Sequence, residues 1–445
     1  MPDPTTPSPI PRLLTALAGA LWLLGIVQVF AHSAALSTAL TVCLAAFVLL
    51  ALPRTGRHAQ VLCLLLAAAA AALAASYGTW DAVPRGIARA TIFPGFLATI
   101  VLLRATADQR PEIAAARRAF AALDRRDRGG GIAVGAHLLG AVVQVGVFAI
   151  LAPIVGRDAS VGERRRVFLI AMRGMALVPL WSPFVVAMAV ASQYLPHVPL
   201  WQVMGLGLAG AAVGLLVSVA LFDGAGGAAA MGRSLATLAP VAPPVAVAAL
   251  IVVGLTALTG LTTLQALLLG LPAPCLLAVG LSRTGSVAAV VRQTAGGLGR
   301  IGTETSILAC AMTMGVVFEA SLPATGLLEA IRALALPPAA IVFLVVMAMN
   351  VFGLMGVHAM VTGTVLLVIF TGIDTGVADV ILFQAMLTGW GLCTAISLGS
   401  LSVATGAAMF DLPPTRLISP GNIGYVFLTS ALIAAALAGI NPLLR

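Results

Sequence analysis

Residues Gly131 to Gly156 read GIAVGAHLLGAVVQVGVFAILAPIVG, an apolar run long enough to cross a bilayer once. Both flanks are crowded with arginine. Arg104, Arg110, Arg117, Arg118, Arg125, Arg126 and Arg128 precede the run, and Arg157, Arg164, Arg165 and Arg166 follow it. Short basic loops stay on the cytoplasmic side of a membrane. With both flanks there, the run enters the membrane and returns. Folded at its middle, each arm is roughly 20 Å of helix. That passes the midplane of a hydrocarbon core about 30 Å thick without spanning it. Backbone that turns at membrane depth is tolerated only where protein buries it or it lines a watery cavity. The stretch therefore predicts a re-entrant hairpin, and with it a translocation site.

The rest of the chain agrees on the solvent. Of 445 residues, 60% are hydrophobic and 9% are charged, and mean hydropathy is +1.09. A soluble domain carries about 25% charged residues. The net charge of +9 sits in loops between apolar runs, so it does not point to nucleic acid. All 24 basic residues are arginine, a usage that fits the Ala and Gly excess of a GC-rich coding sequence. Cys43, Cys63, Cys275, Cys310 and Cys393 lie inside apolar segments, as small hydrophobes rather than a disulfide framework or metal pair. The apolar run from Leu13 to Phe30 exceeds the ~7–15 residues of a signal-peptide core and reads as an uncleaved first span.

Spans are predicted at 13–30, 35–52, 61–78, 87–103, 167–195, 200–222, 240–260, 262–282, 303–320, 377–410 and 418–441. With a cytoplasmic N-terminus and a hairpin at 131–156, most arginines fall inside, and the C-terminus falls outside. Arg85, Arg89, Arg332 and Arg445 fall outside, and Arg173 lies within a span. The apolar stretch 338–373 is interrupted by Asn350, Gly353, Gly356 and His358, and its flanks are acidic or balanced. It can form two thin spans, one long helix or a second hairpin. As a hairpin it opens outward, opposed to the first.

The expected organisation is an N-terminal tail and first span (1–34), a first repeat (35–222), a Gly-rich cytoplasmic linker (223–239) and a second repeat (240–445). Each repeat runs through three spans, an amphipathic connector (111–126 or 325–338), a hairpin, a long broken span and a final span. Phe168 to Ser182 aligns with Phe383 to Ser397 without a gap, pairing Gly174 with Gly389 and Leu177 with Leu392, and Gly156 to Asp158 echoes Gly372 to Asp374. Each copy contributes an odd number of crossings, so the second is inverted, as in many secondary transporters. The fold class is all-α polytopic membrane protein, with about eleven spans and two opposed hairpins.

Candidate chemistry lies at the interruptions. Pro179 and Pro183 flank Ser182 inside 167–195 and break its hydrogen-bond ladder. Freed carbonyls and helix ends there can hold an ion, and a Pro-kinked packing helix is the alternative. The matching span carries Thr394, Ser397, Gly399, Ser400 and Ser402 at its centre. Such residues either bind a solute or pack helices. Hairpin tips add Gln144, near His137, and Asn350, Gly353, Gly356 and His358. Either His is a proton carrier or a hydrogen-bonded structural group. Arg173 either snorkels to the cytoplasmic face or attracts an anion. Glu304 and Glu319 bracket a span and read as interfacial. No HExxH, P-loop, CxxC or GxSxG motif is present, so neither an enzyme nor an ATP-driven pump is expected.

The breaks followed by Pro turns, WSPFVVAMAVASQYLP (181–196) and SLGSLSVATGAAMFDLPP (397–414), together with the order of elements, resemble the ion transporter superfamily over 35–441. That group includes divalent anion/sodium symporters, citrate carriers, arsenite permeases and TRAP large permease subunits. The resemblance implies a homodimer in the bacterial cytoplasmic membrane and a mobile transport domain moving by an elevator-like shift. It implies a small anionic, carboxylate-type solute held between hairpin tips and breaks, with Na+ or H+ as coupling ion and no other cofactor. The symporters' Ser-Asn-Thr tip motifs are absent, which leaves the coupling ion open. A TRAP-type subunit working with a solute-binding protein and a small membrane subunit is the alternative, with a channel third.

Overall fold

A computed structural model describes residues 9–121, 129–155, 159–222, 227–282, 285–416 and 418–445. Arg125, Arg126, Arg128, Arg157 and the Gly156 to Asp158 echo lie outside these residues. The described chain is helical, without strands. Nine of its helices are long and apolar enough to cross a membrane: Ile10–Ala31, Ala34–Arg54, Arg57–Tyr77, Ala82–Asp108, Leu200–Phe222, Ala239–Thr259, Thr263–Gly280, Gly302–Ala324 and Pro420–Leu443. Each matches an expected span. The other two expected spans are each divided into two shorter helices, Val161–Ala176 with Val186–Tyr194, and Asp379–Cys393 with Leu401–Phe410. Large apolar side chains such as Leu23, Phe30, Leu49, Leu64 and Leu65 are exposed along the N-terminal helices. Apolar faces that extensive need lipid or a partner rather than water. The protein is a multi-pass helical membrane protein.

The chain forms two compact units. The first comprises residues up to Gln109 and Leu264–Ala333. Its centre is Gly302–Ser321, packed along Arg57–Tyr77 and Ala82–Ala90. The approach at Gly86 is so close that a Cβ would sit 2.6 Å from the Thr313 Cα. Arg89 pairs with Glu319 at 3.4 Å, and the Thr79 and Ser321 hydroxyls meet at 2.8 Å. Glu319 is thus an ion-pair partner within this unit. A helix at Val287–Leu298, not expected from the sequence, packs on Ile92–Asp108, where Gln293 Nε2 donates to Asp108 at 2.6 Å.

The second unit comprises Arg110–Thr263 and Leu334–Arg445. It contains both stretches expected as hairpins. The first is a helix (Gly130–Val143), a short turn (Gln144–Gly146) and a second helix (Val147–Val155). The other is a helix (Pro338–Leu354), a turn over 355–358 and a helix (Ala359–Thr371). The turn uses Gly356 at φ +88°, where a side chain would be strained. The same unit holds all four pieces of the two broken spans. The compact units thus cut across the two expected repeats, each taking segments from both halves of the chain.

One expectation is corrected. Residues read as a Gly-rich loop within 223–239 form a helix, Gly227–Leu238. It packs against Gly130–Val143 and Pro111–Ala121. Its sequence GAAAMGRSLATL holds enough Ala, Met and Leu to outweigh two glycines once one face is covered. The expected connectors are helices at Pro111–Ala121 and Leu327–Ala333.

Candidate functional site

The two breaks form by different means. Ser160 opens the first divided span as an N-cap, its Oγ accepting from the Glu163 amide at 3.2 Å. The helix ends at Ala176 because Pro179 and Pro183 cannot donate to the preceding turn. A single 3-10 turn (Val178–Leu180) follows, and helix resumes at Val186. The second break contains no proline. Thr394 Oγ1 donates to the Gly391 carbonyl at 2.7 Å, and 3-10 turns at Ala395 and Ile396 end the helix. Here a short hydroxyl side chain competes for helix carbonyls. Ser400 then caps the next helix, accepting from the Ser402 amide at 3.2 Å. In the register that aligns Phe168 with Phe383, the resuming residues Val186 and Leu401 are equivalent.

The helix that leads into the second break lies against the first break inside the second unit. Gln384 Nε2 donates to the Leu180 carbonyl at 3.1 Å. A Cβ at Gly391 would overlap the Ala176 carbonyl, so only glycine lets the two backbones touch. The first helix pair reaches them through its turn, and the second through its helices. Gln144 sits at φ +52°, unusual for a residue with a side chain, and its Nε2 donates to the Phe184 carbonyl in the first break at 2.9 Å. The Gln144–Gly146 turn and Val147–Val155 lie against Leu401–Phe410. From the other pair, Gly353 lies on the helix end just before the second break, where a Cβ would come 2.8 Å from that of Cys393. Ala359–Thr371 packs on Val186–Tyr194.

The remaining site candidates sort by environment. Ser182 and Pro183 are buried, and the Ser182 hydroxyl accepts from the Phe184 amide at 3.4 Å. Ser397 and Ser400 are buried, while Thr394 and Gly399 are partly open and Leu398 is 47% exposed. Asn350 Nδ2 donates to the Ser430 hydroxyl at 2.8 Å, while its buried Oδ1 has no partner among the described residues. His358 caps Ala359–Thr371, its Nδ1 accepting from the Met360 amide at 3.3 Å. His137 is held as a single tautomer. A carbonyl only accepts and an indole N–H only donates, so Nδ1 donates to Gly174 (3.1 Å) and Nε2 accepts from Trp181 (3.1 Å). Both ring nitrogens are occupied in the neutral form, which argues for structure over proton transfer.

Arg173 is 6% exposed, so protein covers it. Its Nε donates to Asn422 Oδ1 at 2.8 Å, and its guanidinium lies over Phe222 and Tyr425 at 4.8 and 5.4 Å. Asn422 in turn donates from Nδ2 to the Ala395 carbonyl in the second break, at 3.4 Å. Neither Asn422 nor Gln384 was singled out from the sequence. Asn422 stands three residues after the Ser419 cap in Ser-Pro-Gly-Asn, where it looks like helix-start chemistry, and Gln384 is one amide in an apolar run. No protein-family model matches the chain, and no curated protein matches it in sequence.

Proposed function

We propose that this protein is a secondary transporter that moves a small anionic solute across the cytoplasmic membrane, with the breaks at 177–185 and 394–400 as its binding region. The observation that carries the reading is that two helix breaks and two helix–turn–helix pairs lie within one compact unit, with the first tip bonded to the first break through Gln144 and Phe184. In a bilayer, unwound backbone is tolerated where protein buries it, as at the first break, or where it lines a watery cavity, as the partly open second break can. The N-termini of Val186–Tyr194 and Leu401–Phe410 end at the breaks, and their partial positive charge suits an anion. Arg173 adds a full positive charge one hydrogen-bonded step from the second break, through Asn422. The helix pairs 130–155 and 338–371 are taken as hairpins re-entering from opposite sides, which restores eleven crossings around them. The segregation of all broken elements into one unit suits an elevator-like movement of that unit.

The test is counterflow in proteoliposomes with a panel of carboxylates and inorganic anions. The account expects saturable exchange that drives one anion against its gradient, and weaker exchange for Ser397→Ala in correctly inserted protein. Flux that neither saturates nor supports counterflow would assign a channel instead.

A further inference from the structure

The first compact unit holds a pair of thiols that the transport reading does not use. Cys63 lies on Arg57–Tyr77 and Cys310 on Gly302–Ser321, and these two helices pack side by side. Their register is fixed at one end. Thr79 folds back so that its amide donates to the Ala74 carbonyl at 3.1 Å, and its hydroxyl meets that of Ser321 at 2.8 Å. Cys63 stands eleven residues before Ala74, and Cys310 eleven before Ser321. Equal helix rise brings the two cysteines to one level. There the thiols face each other as hydrogen-bonding neighbours, and neither is in a disulfide. Cys63 is fully buried, while Cys310 is partly exposed and forms part of the wall of an open cavity of about 310 Å³. Leu44, Ala67, Trp80, Val83 and Thr313 make up more of that wall, which is almost wholly apolar. Ala67 and Trp80 are exposed, so the cavity opens on the apolar flank of these spanning helices.

Such an entrance restricts what reaches Cys310. A charged reagent or a hydrated metal ion must shed its water to enter. A neutral, flat, lipid-soluble molecule need not, and Trp80 offers a ring against which it can stack. The product must also be neutral, because a bare thiolate in hydrocarbon is costly. A disulfide meets that condition. We propose that Cys63 and Cys310 form a redox-active thiol pair, oxidised to a cross-helix disulfide by a lipid-soluble quinone that enters this cavity. Two S–H bonds break and one S–S bond forms. The two electrons and two protons released reduce the quinone to its quinol, so no charge is left behind. Cys310 meets the quinone, and Cys63 completes the disulfide. The new bond ties Arg57–Tyr77 to Gly302–Ser321 within the first unit. The inference stands on the thiol pair and the cavity and does not depend on the transport proposal.

The experiment uses the full chain in liposomes, both unsubstituted and with Cys43, Cys275 and Cys393 replaced by Ala so that the pair alone carries thiols. The probes are decylubiquinone and the small polar oxidant diamide. After exposure the protein is denatured, remaining thiols are labelled with maleimide, and linked Cys63 and Cys310 peptides are sought by mass spectrometry. Decylubiquinone should remove both free thiols of the pair, give the linked peptides in either chain and yield a matching amount of quinol, with the thiols restored by dithiothreitol. Cys63→Ala or Cys310→Ala in the pair-only chain should abolish quinol formation. Ala67→Leu, at an exposed position on the cavity wall, should slow oxidation by decylubiquinone about tenfold by displacing the ring from Cys310. Its oxidation by diamide should be unchanged, which separates a blocked cavity from a disturbed fold. Free thiols persisting under both oxidants overturn the pair. Oxidation by diamide alone, or by decylubiquinone at an unchanged rate in Ala67→Leu, overturns the quinone site.

Discussion

The two breaks of the second unit occupy equivalent places in the chain and are built from opposite materials. The first is made by proline, which deletes backbone donors, and it is sealed: Leu177, Leu180 and Ser182 are fully buried. The second is made by hydroxyls and glycine, which compete for backbone groups without deleting them, and it is partly open at Leu398 and Gly399. A proline break persists whatever surrounds it. A hydroxyl break depends on its side chains, so those side chains remain available to exchange partners with a solute. Under the proposed function, the adaptable half of the binding region would be 394–400, and the first break a rigid wall.

The largest effect is expected where the two helices that lead into the breaks touch. Gly391→Ala forces a methyl onto the Ala176 carbonyl and should destabilise the protein by about 1–3 kcal/mol. Gly399→Ala, in the open part of the second break, should cost less. Thermal unfolding in detergent compares them, and equal costs would remove the distinction between wall and open break. Next in size, Ser397→Ala should raise the half-saturation concentration for uptake about tenfold. Ser182→Ala should change it less than about threefold, because that hydroxyl is already engaged by the Phe184 amide. A larger effect at Ser182 would reverse the assignment. Smaller still, Pro183→Ala should cost under about 1 kcal/mol, because Pro179 still ends the helix and keeps the first break in place. The smallest effect is expected at His358→Asn, since Asn also caps helices well. Stability and the pH profile of uptake should both stay unchanged, and a shifted pH profile would give His358 a proton-coupling role.

Much of this architecture was legible in the sequence. Nine long apolar runs became nine long helices because length and hydropathy decide membrane spans with little help from context. The breaks were legible because Pro179 and Pro183, and the Thr394 to Ser402 hydroxyls, are local disruptors whose chemistry acts on their own turn. What escaped was set by distant partners. Gly227–Leu238 and Val287–Leu298 are short and Gly-containing, and they form helices through packing on segments remote in sequence. Gln384 and Asn422 are single amides whose meaning appears only when Leu180 and Arg173 are brought beside them. Arg173 was legible as an anomaly, but its place beside Asn422, Phe222 and Tyr425 required the fold.

The transport account rests most heavily on Gly130–Val155 entering and leaving on one side of the membrane. Single cysteines at Gly129 and Ser160, in a background lacking the five native cysteines, can be probed with a membrane-impermeant maleimide in right-side-out and inverted vesicles. The account predicts that both label from the cytoplasmic side. Labelling from opposite sides would make the segment a simple crossing and contradict the central claim.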